Sequence, residues 1–402
     1  MREISNADGL AAYLEEPPVP GDEVAIQSLP LARADVERLL RRRLAGVYLF
    51  GCDADAADLG RLAAAGATVF PRLGDLPFDP YRSALYTPAD LFAGFVADDP
   101  CSYCRTPDAR TYAYWRATGG PRADSIVAAL ARRLHDHSIS DALAEFLAAE
   151  DRTTRAVAVM GGHDLSRREP RYRDLALLSR TLTRDGFLMV SGGGPGAMEA
   201  THLGAWLAAA PDARLDVALD VLAGAPRFDD EQFVSAAFRV QDANPDVTPG
   251  VSLSIPTWLY GHEPPTVFAT HVAKYFDNSV REDGLVSVAR RGIVFAPGHG
   301  GTVQELFQDA AQNQYFALGE ASPMVLLDVA FWTTKTPAWP LLDAMRQGSD
   351  WGRLVALVDT PDDAIAHLRA HGPLPAATEP WSFCVANCGE PAPGPTAMGR
   401  RI

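Results

Sequence analysis

The sequence is poor in cysteine, in long apolar runs and in positive charge. Five cysteines among 402 residues is a small, odd number, which argues against a disulfide scaffold. No apolar run approaches the roughly 20 residues that a membrane-spanning helix needs. Asp and Glu outnumber Lys and Arg by 51 to 36, and the net charge of −15 disfavours binding to the phosphate backbone of long DNA or RNA. The composition is otherwise that of an ordinary globular protein.

Four of the cysteines form two close pairs, Cys101-x-x-Cys104 and Cys384-x-x-x-Cys388. Four thiolates can hold one zinc ion in a tetrahedral site. Because the pairs lie far apart in the sequence and the second spacing is loose, we expect reduced thiols and no metal. The residues from Met1 to Ser5 open a polar stretch without the apolar core of a signal peptide, so the expected location is the cytoplasm.

Apolar runs and helical spacing divide the chain into three predicted parts. Residues 1–150 are predicted to form an N-terminal α/β accessory domain, because strand-like residues 46–51 and 67–70 flank an alanine-rich helix. Residues 151–335 are predicted to form the main domain, and residues 336–402 a C-terminal extension. A chain of this length can hold several domains, each with its own core.

Near-continuous apolar runs recur through the main domain and are typical of buried strands. They cover residues 156–160, 187–190, 293–296 and 324–327. Buried strands separated by helices predict a parallel sheet that is covered on both faces. Right-handed crossovers then give a doubly wound, Rossmann-like α/β fold, whose ligand site lies at the carboxyl ends of the strands.

Two glycine-rich loops follow two of these strands. Residues 191–199 read Ser-Gly-Gly-Gly-Pro-Gly-Ala-Met-Glu, and residues 297–305 read Pro-Gly-His-Gly-Gly-Thr-Val-Gln-Glu. Such a loop directs unpaired backbone N–H groups and the positive end of the next helix toward one point, so an anion such as phosphate is the expected ligand. Taken singly, either loop can be a structural turn, and the first lacks the G-x-G-x-x-G spacing of a dinucleotide fingerprint.

Individual residues near the second loop allow two interpretations each. Thr302 stands where a helix N-cap is favoured, and its hydroxyl can cap the helix, bind phosphate or do both. Glu305, three residues later, can complete a capping box or act as a catalytic carboxylate. Arg281, upstream of the loop, is either a surface arginine paired with a neighbouring acid or part of the site.

Residues 255–264 are dense in aromatic rings and polar side chains. Trp258 or Tyr260 could stack on a nucleobase, and His262 or Glu263 could contact the base or the sugar. The alternative is a loop that packs into the core, and the sequence favours neither interpretation. Trp258, Tyr260 and His262 are therefore candidate base contacts.

The two loops, their order and their spacing resemble the LOG family, long labelled lysine decarboxylase-like. Its pattern is a glycine turn after the first strand, then GGGxxGxM, then PGGxGTxxE. Residues 160–163 stand at the first turn, residues 191–198 match the middle motif, and residues 297–305 match the last. The similarity covers roughly residues 155–330, and extra sequence on both sides is similar to a longer bacterial branch of that family.

The resemblance implies an enzyme that hydrolyses the N-glycosidic bond of nucleoside 5′-monophosphates to a free base and ribose 5-phosphate. Members of the longer branch act on ordinary purine and pyrimidine nucleotides, and family members are usually homodimers. No metal or redox cofactor is implied. The expected partners are therefore the nucleotide and a second copy of the chain, with no nucleic-acid polymer and no membrane.

The resemblance also assigns site residues. Glu305 occupies the position of the family's catalytic acid, and Arg281 lies about one residue from that of its catalytic arginine. The implied substrate-binding residues are Gly161, Gly162, Ser191, Gly192, Gly193, Gly194, Gly196, Met198, Glu199, Pro297, Gly298, Gly300, Gly301 and Thr302. Two positions depart from the pattern: His299 replaces the second glycine of the last motif, and Glu282 replaces the lysine that usually follows the arginine.

Two other function classes remain open from the sequence. One is a nucleotide-binding regulator without turnover, and the presence of both Glu305 and Arg281 speaks against it. The other is an amino-acid decarboxylase, which would ordinarily need pyridoxal phosphate on a lysine. Lys274 lies near the predicted site in a helix-like stretch, but no cofactor motif surrounds it, and this class ranks last.

Overall fold

The computed structural model describes residues 1–376 apart from residues 18 and 20, and Cys384 and Cys388 lie outside these residues. The strands, in chain order, are β1 (Arg2–Ile4), β2 (Val24–Gln27), β3 (Val47–Phe50), β4 (Thr68–Phe70), β5 (Ala156–Met160), β6 (Leu188–Ser191), β7 (Ser252–Ser254), β8 (His271–Val272), β9 (Gly292–Phe295), β10 (Glu320–Ala321), β11 (Met324–Leu327), β12 (Val355–Val358) and β13 (Leu374–Pro375).

The α-helices lie between these strands, singly or in groups. They are α1 (Ala7–Glu15), α2 (Arg33–Leu40), α3 (Ala56–Ala64), α4 (Pro88–Leu91), α5 (Pro107–Ala117), α6 (Ile126–Ala148), α7 (Pro170–Arg184), α8 (Ala197–Trp206), α9 (Asp212–Leu222), α10 (Phe233–Asp242), α11 (Asn278–Ser287), α12 (Gly300–Tyr315), α13 (Trp339–Arg346) and α14 (Pro361–Ala370). Local residue types explain some helix ends: the Ser125 side chain accepts a hydrogen bond from the Ala128 amide at the start of α6. Gly186 follows α7 with φ of 89°, a conformation that favours glycine.

A seven-stranded parallel sheet carries the main domain. Its strand order is β12-β11-β9-β5-β6-β7-β8, with helices flanking the sheet, and the predicted doubly wound α/β fold is confirmed. Strand order reverses at β5, because β6, β7 and β8 continue to one side while β9, β11 and β12 continue to the other. In such sheets the connections leave neighbouring strands in opposite directions at that point, which opens a crevice beyond their carboxyl ends.

A second, four-stranded parallel sheet has the order β1-β2-β3-β4. It buries its own apolar cluster, in which Ile26 and Leu49 of the sheet pack with residues of helices α1 to α3, such as Val36 of α2, and are almost fully enclosed. Helix α6 belongs elsewhere, because Ile139 and Leu143 share the core of the seven-stranded sheet. The predicted boundary at residue 150 stays a prediction, since one part of that segment packs with each core.

Several of the strands that the sequence did not predict are short or interrupted. Strand β7 contains only one apolar residue, Leu253, between two buried serines, and β8 is two residues long. Neither has the apolar run that identifies a buried parallel strand. In the part of the chain that the structure describes, no helix is long and apolar enough to cross a membrane.

Candidate functional site

The connections after β5 and β9 diverge, and a cleft of about 210 Å³ opens between them. We call it the central cleft. Many of the predicted site residues line it: Gly161, Gly162, Gly192, Met198, Tyr260, Arg281, Gly301, Thr302 and Glu305. Gly193 and Gly194 line a smaller adjoining chamber of about 40 Å³. The reversal of strand order therefore brings the three glycine-bearing turns to one place.

The floor of the central cleft is a pair of opposite charges from two helices. Arg281 of α11 lies with its Nη1 atom 3.4 Å from Oε1 of Glu305 of α12. Each side chain is about 10% exposed, and the Arg281 Nε–H donates to the carbonyl of Ile255 at 2.9 Å. The pair thus joins two helices and the end of β7, and both side chains keep atoms that face the cleft.

Burial raises the pKa of Glu305 from its ordinary value of 4.5 to about 6. The positive charge of Arg281 acts against this shift, and the negative charge of Glu282 adds to it. Near neutral pH the carboxylate is therefore ionised but close to its titration range. A group in that state can stabilise a developing cation or take a proton from water.

The raised pKa of Glu305 has a measurable consequence for stability. The folded state holds this proton more tightly than the unfolded chain, so the contribution to stability is fully present below pH 4.5 and is lost as the pH rises through about 6. Relative to a Glu305→Gln variant, wild-type protein should lose about 2 kcal/mol of unfolding free energy over that window. Urea denaturation of both proteins at pH values from 4 to 7.5 measures the difference, and a constant difference would contradict the assignment.

The first glycine loop leaves room for the arginine of the floor. A side chain on Gly192 would overlap the Nη2 atom of Arg281 and would lie 2.8 Å from the Met198 sulfur. Helix α8 begins at Ala197, whose amide donates to the carbonyl of Gly162 at 3.1 Å. One amide at the start of this helix is therefore already used within the protein. Pro195 precedes the helix rather than standing in its first turn.

The second glycine loop leaves a helix N-terminus facing the central cleft. Helix α12 begins at Gly300, with His299 as its N-cap residue, and Gly301 and Thr302 line the cleft. The prediction of Thr302 as N-cap is wrong, because Thr302 is the third residue of the helix. A capping box between Thr302 and Glu305 is excluded for the same reason. Gly298 is needed for packing, since a Cβ there would overlap the Thr302 hydroxyl.

Several predicted substrate-binding residues do not line the central cleft. Ser191 is buried in the sheet and donates to the carbonyl of Val159 at 2.8 Å. Glu199 is enclosed behind the first loop, where it binds Arg167 at 2.6 Å and accepts a hydrogen bond from Tyr172 at 2.7 Å. Both support the loops from behind, which corrects the predicted contact with substrate. The cleft lining also excludes Gly196, Pro297, Gly298 and Gly300.

The candidate base contacts divide between the cleft, the surface and the core. Tyr260 is 45% exposed and lines the central cleft. His262 is exposed but lies outside the cleft lining, with its imidazole 3.8 Å from the Glu263 carboxylate. Trp258 is 1% exposed, stacks on Phe276, and donates through Nε1 to Asp108 at 3.0 Å. Its prediction as a base contact is therefore wrong, because the side chain is almost fully buried and does not line the central cleft.

Glu263 and His163 also line the cleft; the sequence named Glu263 as a possible contact to the base or the sugar and did not single out His163. Burial raises the pKa of Glu263, and the charges of His163, His262 and Arg281 act in the opposite direction. The His163 Nδ1 atom lies 4.0 Å from Oε1 of Glu263. Each of them directly follows a residue that the sequence did select: His163 follows Gly162, and Glu263 follows His262. Their position beside selected residues is the sequence feature that could have identified them.

Lys274 lies in an extended segment after β8, not in a helix, which corrects that expectation. Its ammonium group is 1% exposed and lies 2.5 Å from Oδ1 of Asp108, which is itself fully buried. This ion pair holds the segment against α5. The amine is therefore engaged inside the protein and cannot act as an exposed nucleophile in this arrangement.

A larger cavity of about 670 Å³ lies at the carboxyl ends of β2, β3 and β4. Of the predicted site residues, Trp258 alone contributes to its lining. Cys101 and Cys104 are free and exposed on another surface segment, between β4 and α5. The central cleft is thus the cavity that combines the glycine loops with a buried acid.

Comparisons with known proteins identify neither a family nor a function. No known family's sequence profile matches the chain, and no curated protein matches it. Among solved structures, the molybdenum cofactor binding protein from the phototrophic bacterium Rippkaea orientalis is 14% identical, with a TM-score of 0.32 over 54% of this chain and 96% of that one. The structural genomics target TM1055 is 21% identical, with a TM-score of 0.35 over 54% and 99% of the two chains.

Proposed function

We propose that this protein hydrolyses the N-glycosidic bond of nucleoside 5′-monophosphates, which yields a free base and ribose 5-phosphate. The observation that carries the proposal is the buried pair of Arg281 and Glu305 beneath a cleft that also receives the N-terminus of α12. The resemblance of the glycine loops to the LOG family supports the same reaction.

The 5′-phosphate belongs at the N-terminus of α12. Helix α12 is 16 residues long, and the amides of Gly301 and Thr302 stand where its first turn leaves N–H groups without intrahelical partners. The helix dipole favours a negative group at that end. The Thr302 hydroxyl can add a further donor. Fixing the phosphate there orients the sugar over the floor of the cleft.

The chemistry then takes place above Glu305. As the bond between C1′ and the base nitrogen breaks, its electron pair leaves with the base and positive charge develops on the sugar ring. The ionised carboxylate of Glu305 stabilises that charge, and it can take one proton from the water whose oxygen attacks C1′. That proton then passes to the nitrogen of the departing base, so the base leaves as a neutral molecule and Glu305 is ionised again. Arg281 keeps Glu305 ionised and can donate to the substrate.

The base end of the substrate lies toward Tyr260 and Met198. Tyr260 offers an exposed ring for stacking, and Met198 lines both chambers of the site. The carboxylate of Glu263 faces both chambers as well, and it can accept hydrogen bonds from N–H groups of a base. Tyr260 and Glu263, which line the site, are accordingly the proposed base contacts, and His262, which lies outside its lining, is not among them.

Product analysis tests the proposal. Wild-type protein is incubated with AMP, GMP, IMP, CMP and UMP, and chromatography is expected to detect free base and ribose 5-phosphate in equal amounts from at least one of them. A Glu305→Ala variant purified in the same way identifies any contaminating activity, and Glu231→Ala, an exposed carboxylate on the surface, is the matched control. Release of inorganic phosphate instead would overturn the proposal.

A regulator without turnover is the alternative if calorimetry detects nucleotide binding but no base appears. The ion pair of Lys274 with Asp108 weighs against a decarboxylase that would use this lysine. Assembly as a homodimer and location in the cytoplasm stay predictions, which sedimentation and fractionation of cells can test.

A further inference from the structure

Two cysteines lie one turn apart on the surface of the short 3-10 helix that precedes α5. This helix runs from Pro100 to Arg105, and the thiols of Cys101 and Cys104 are both free and exposed. A 3-10 helix has three residues per turn and rises about 2 Å per residue, so side chains at positions i and i+3 stand above one another with their Cα atoms about 6 Å apart. A disulfide joins Cα atoms that are about 4.4–6.8 Å apart, so this backbone suits the bond as it stands.

The sulfur of Cys104 already points back along this turn. Its Sγ atom lies 2.9 Å from the carbonyl oxygen of Cys101. The turn is also fixed from the inside of the protein, because Ser102 is fully buried and its hydroxyl accepts a hydrogen bond from the Val96 amide at 2.8 Å. A turn that is held in place loses little further conformational entropy when a bond closes across it.

A zinc site is the main alternative for a C-x-x-C sequence, and it needs two more ligands. Among the residues that the structure describes, only Glu3, Asp141 and Glu145 form a group of metal-ligating side chains close enough to share an ion, and neither cysteine belongs to it. The location predicted from the sequence is the cytoplasm, where disulfides that do form are usually transient and redox-sensing.

We propose that Cys101 and Cys104 form a reversible disulfide by exchange with low-molecular-weight disulfides such as oxidised glutathione. The thiolate of one cysteine attacks a sulfur of the oxidant, forms a mixed disulfide and releases one thiol. The thiolate of the other cysteine then attacks the protein sulfur of that bond and releases the second thiol. The two protein thiols thus lose two electrons and two protons, and the oxidant takes up both as it becomes two thiols. Reduced glutathione reverses the same steps.

The cysteine pair adjoins the hydrogen bonds that support one wall of the site. Tyr103, which lies between the two cysteines, donates through its hydroxyl to Asp108 at 2.8 Å. Asp108 also accepts the indole N–H of Trp258 at 3.0 Å and pairs with the ammonium group of Lys274, which lines the smaller chamber. A disulfide across the turn restrains Tyr103. Oxidation is therefore expected to reduce local opening both of this turn and of the segment around Trp258.

Peptide mapping after equilibration with mixtures of oxidised and reduced glutathione tests the proposal. Trypsin releases residues 83–105 as one peptide that contains both cysteines. After oxidation, this peptide should take up no alkylating reagent and should be lighter by two hydrogen atoms. Cys104→Ser cannot resolve the mixed disulfide, so glutathione should remain on Cys101. Cys52 is 4% exposed and serves as the internal control, because its thiol should react only after unfolding.

A variant with both Cys384→Ser and Cys388→Ser is the matched control. It should form the same bond at the same glutathione ratio as wild type. Two alkylated thiols in the peptide of residues 83–105 under oxidising conditions would overturn the proposal, as would a bond from this peptide to residue 384 or 388. Zinc that copurifies with wild type and is lost from the control variant would overturn it as well.

Hydrogen exchange, followed by mass spectrometry on the oxidised and the reduced protein, tests the link to the site. Amides of residues 256–263 should exchange more slowly in the oxidised protein, and Cys104→Ser should show no such difference between the two conditions. Equal exchange in oxidised and reduced wild type would overturn the link. None of these measurements requires turnover, so their results are independent of the proposed hydrolysis.

Discussion

Replacing Glu305 by glutamine is expected to lower the turnover of nucleoside 5′-monophosphates by on the order of a thousandfold. The amide has the size and polarity of the carboxyl group but no negative charge, so it cannot stabilise a cationic sugar or accept a proton from water. The phosphate end of the site, at the N-terminus of α12, is unchanged. The loss should therefore fall on kcat, with the affinity for ribose 5-phosphate within a few-fold of wild type.

The pH profile distinguishes a lost charge from a disturbed structure. In wild type, kcat should rise with pH through about 6, because the ionised form of Glu305 is the active one and its pKa is about 6. The residual activity of Glu305→Gln should lack that limb. Steady-state rates from pH 4.5 to 8.5 measure both profiles, with Glu231→Gln as the surface control. An unchanged limb in Glu305→Gln would assign the titration to another group.

The motifs predicted the site because their geometry depends on local sequence and on strand order. A glycine-rich turn between a buried strand and a helix has few alternatives, so residues 191–199 and 297–305 identified both the parallel sheet and its ligand-binding end. The contact between Arg281 and Glu305 could not be predicted from local sequence. It forms only because α11 and α12 lie side by side in the fold, and the spacing of residues along the chain does not determine that arrangement. Here the family resemblance supplied the assignment and the fold supplied the distance of 3.4 Å.

The wrong assignments concern side chains that lie in the predicted site segments but point into the protein core. Trp258 has the aromatic ring that stacking needs, yet Asp108 on α5 accepts its N–H, and that partner lies 150 positions away in the sequence. Glu199 follows the glycine loop directly, but the first turn of α8 directs it backward, toward Arg167. The direction in which a helix points its side chains decides the orientation of Glu199, and a hydrogen-bond partner distant in sequence decides that of Trp258. A local sequence pattern contains neither kind of information.

The buried ion pair behind the first glycine loop leads to the largest expected effect on stability. The side chains of Arg167 and Glu199 are 1% and 2% exposed, and Arg167 also donates to the carbonyls of Ala225 and Phe233. Glu199→Gln removes the negative charge and leaves the guanidinium buried without its counter-ion. Breaking such a pair on one side costs about 3–5 kcal/mol. Urea denaturation at pH 7 should show a loss of that size in unfolding free energy.

A double-mutant cycle separates the charge from the packing. The cycle uses Glu199→Leu and Arg167→Met, singly and together. If the loss of stability in Glu199→Leu comes from the uncompensated guanidinium, adding Arg167→Met should recover much of that loss, because two apolar side chains of similar volume can replace a buried ion pair. The exposed pair of Arg173 and Asp216, about half-exposed on both sides, is the matched control, and Asp216→Asn should cost less than about 1 kcal/mol. Strictly additive effects at residues 167 and 199 would contradict this account. They would mean that the first glycine loop is fixed by packing around α8, and that the buried charges behind it contribute little to its position.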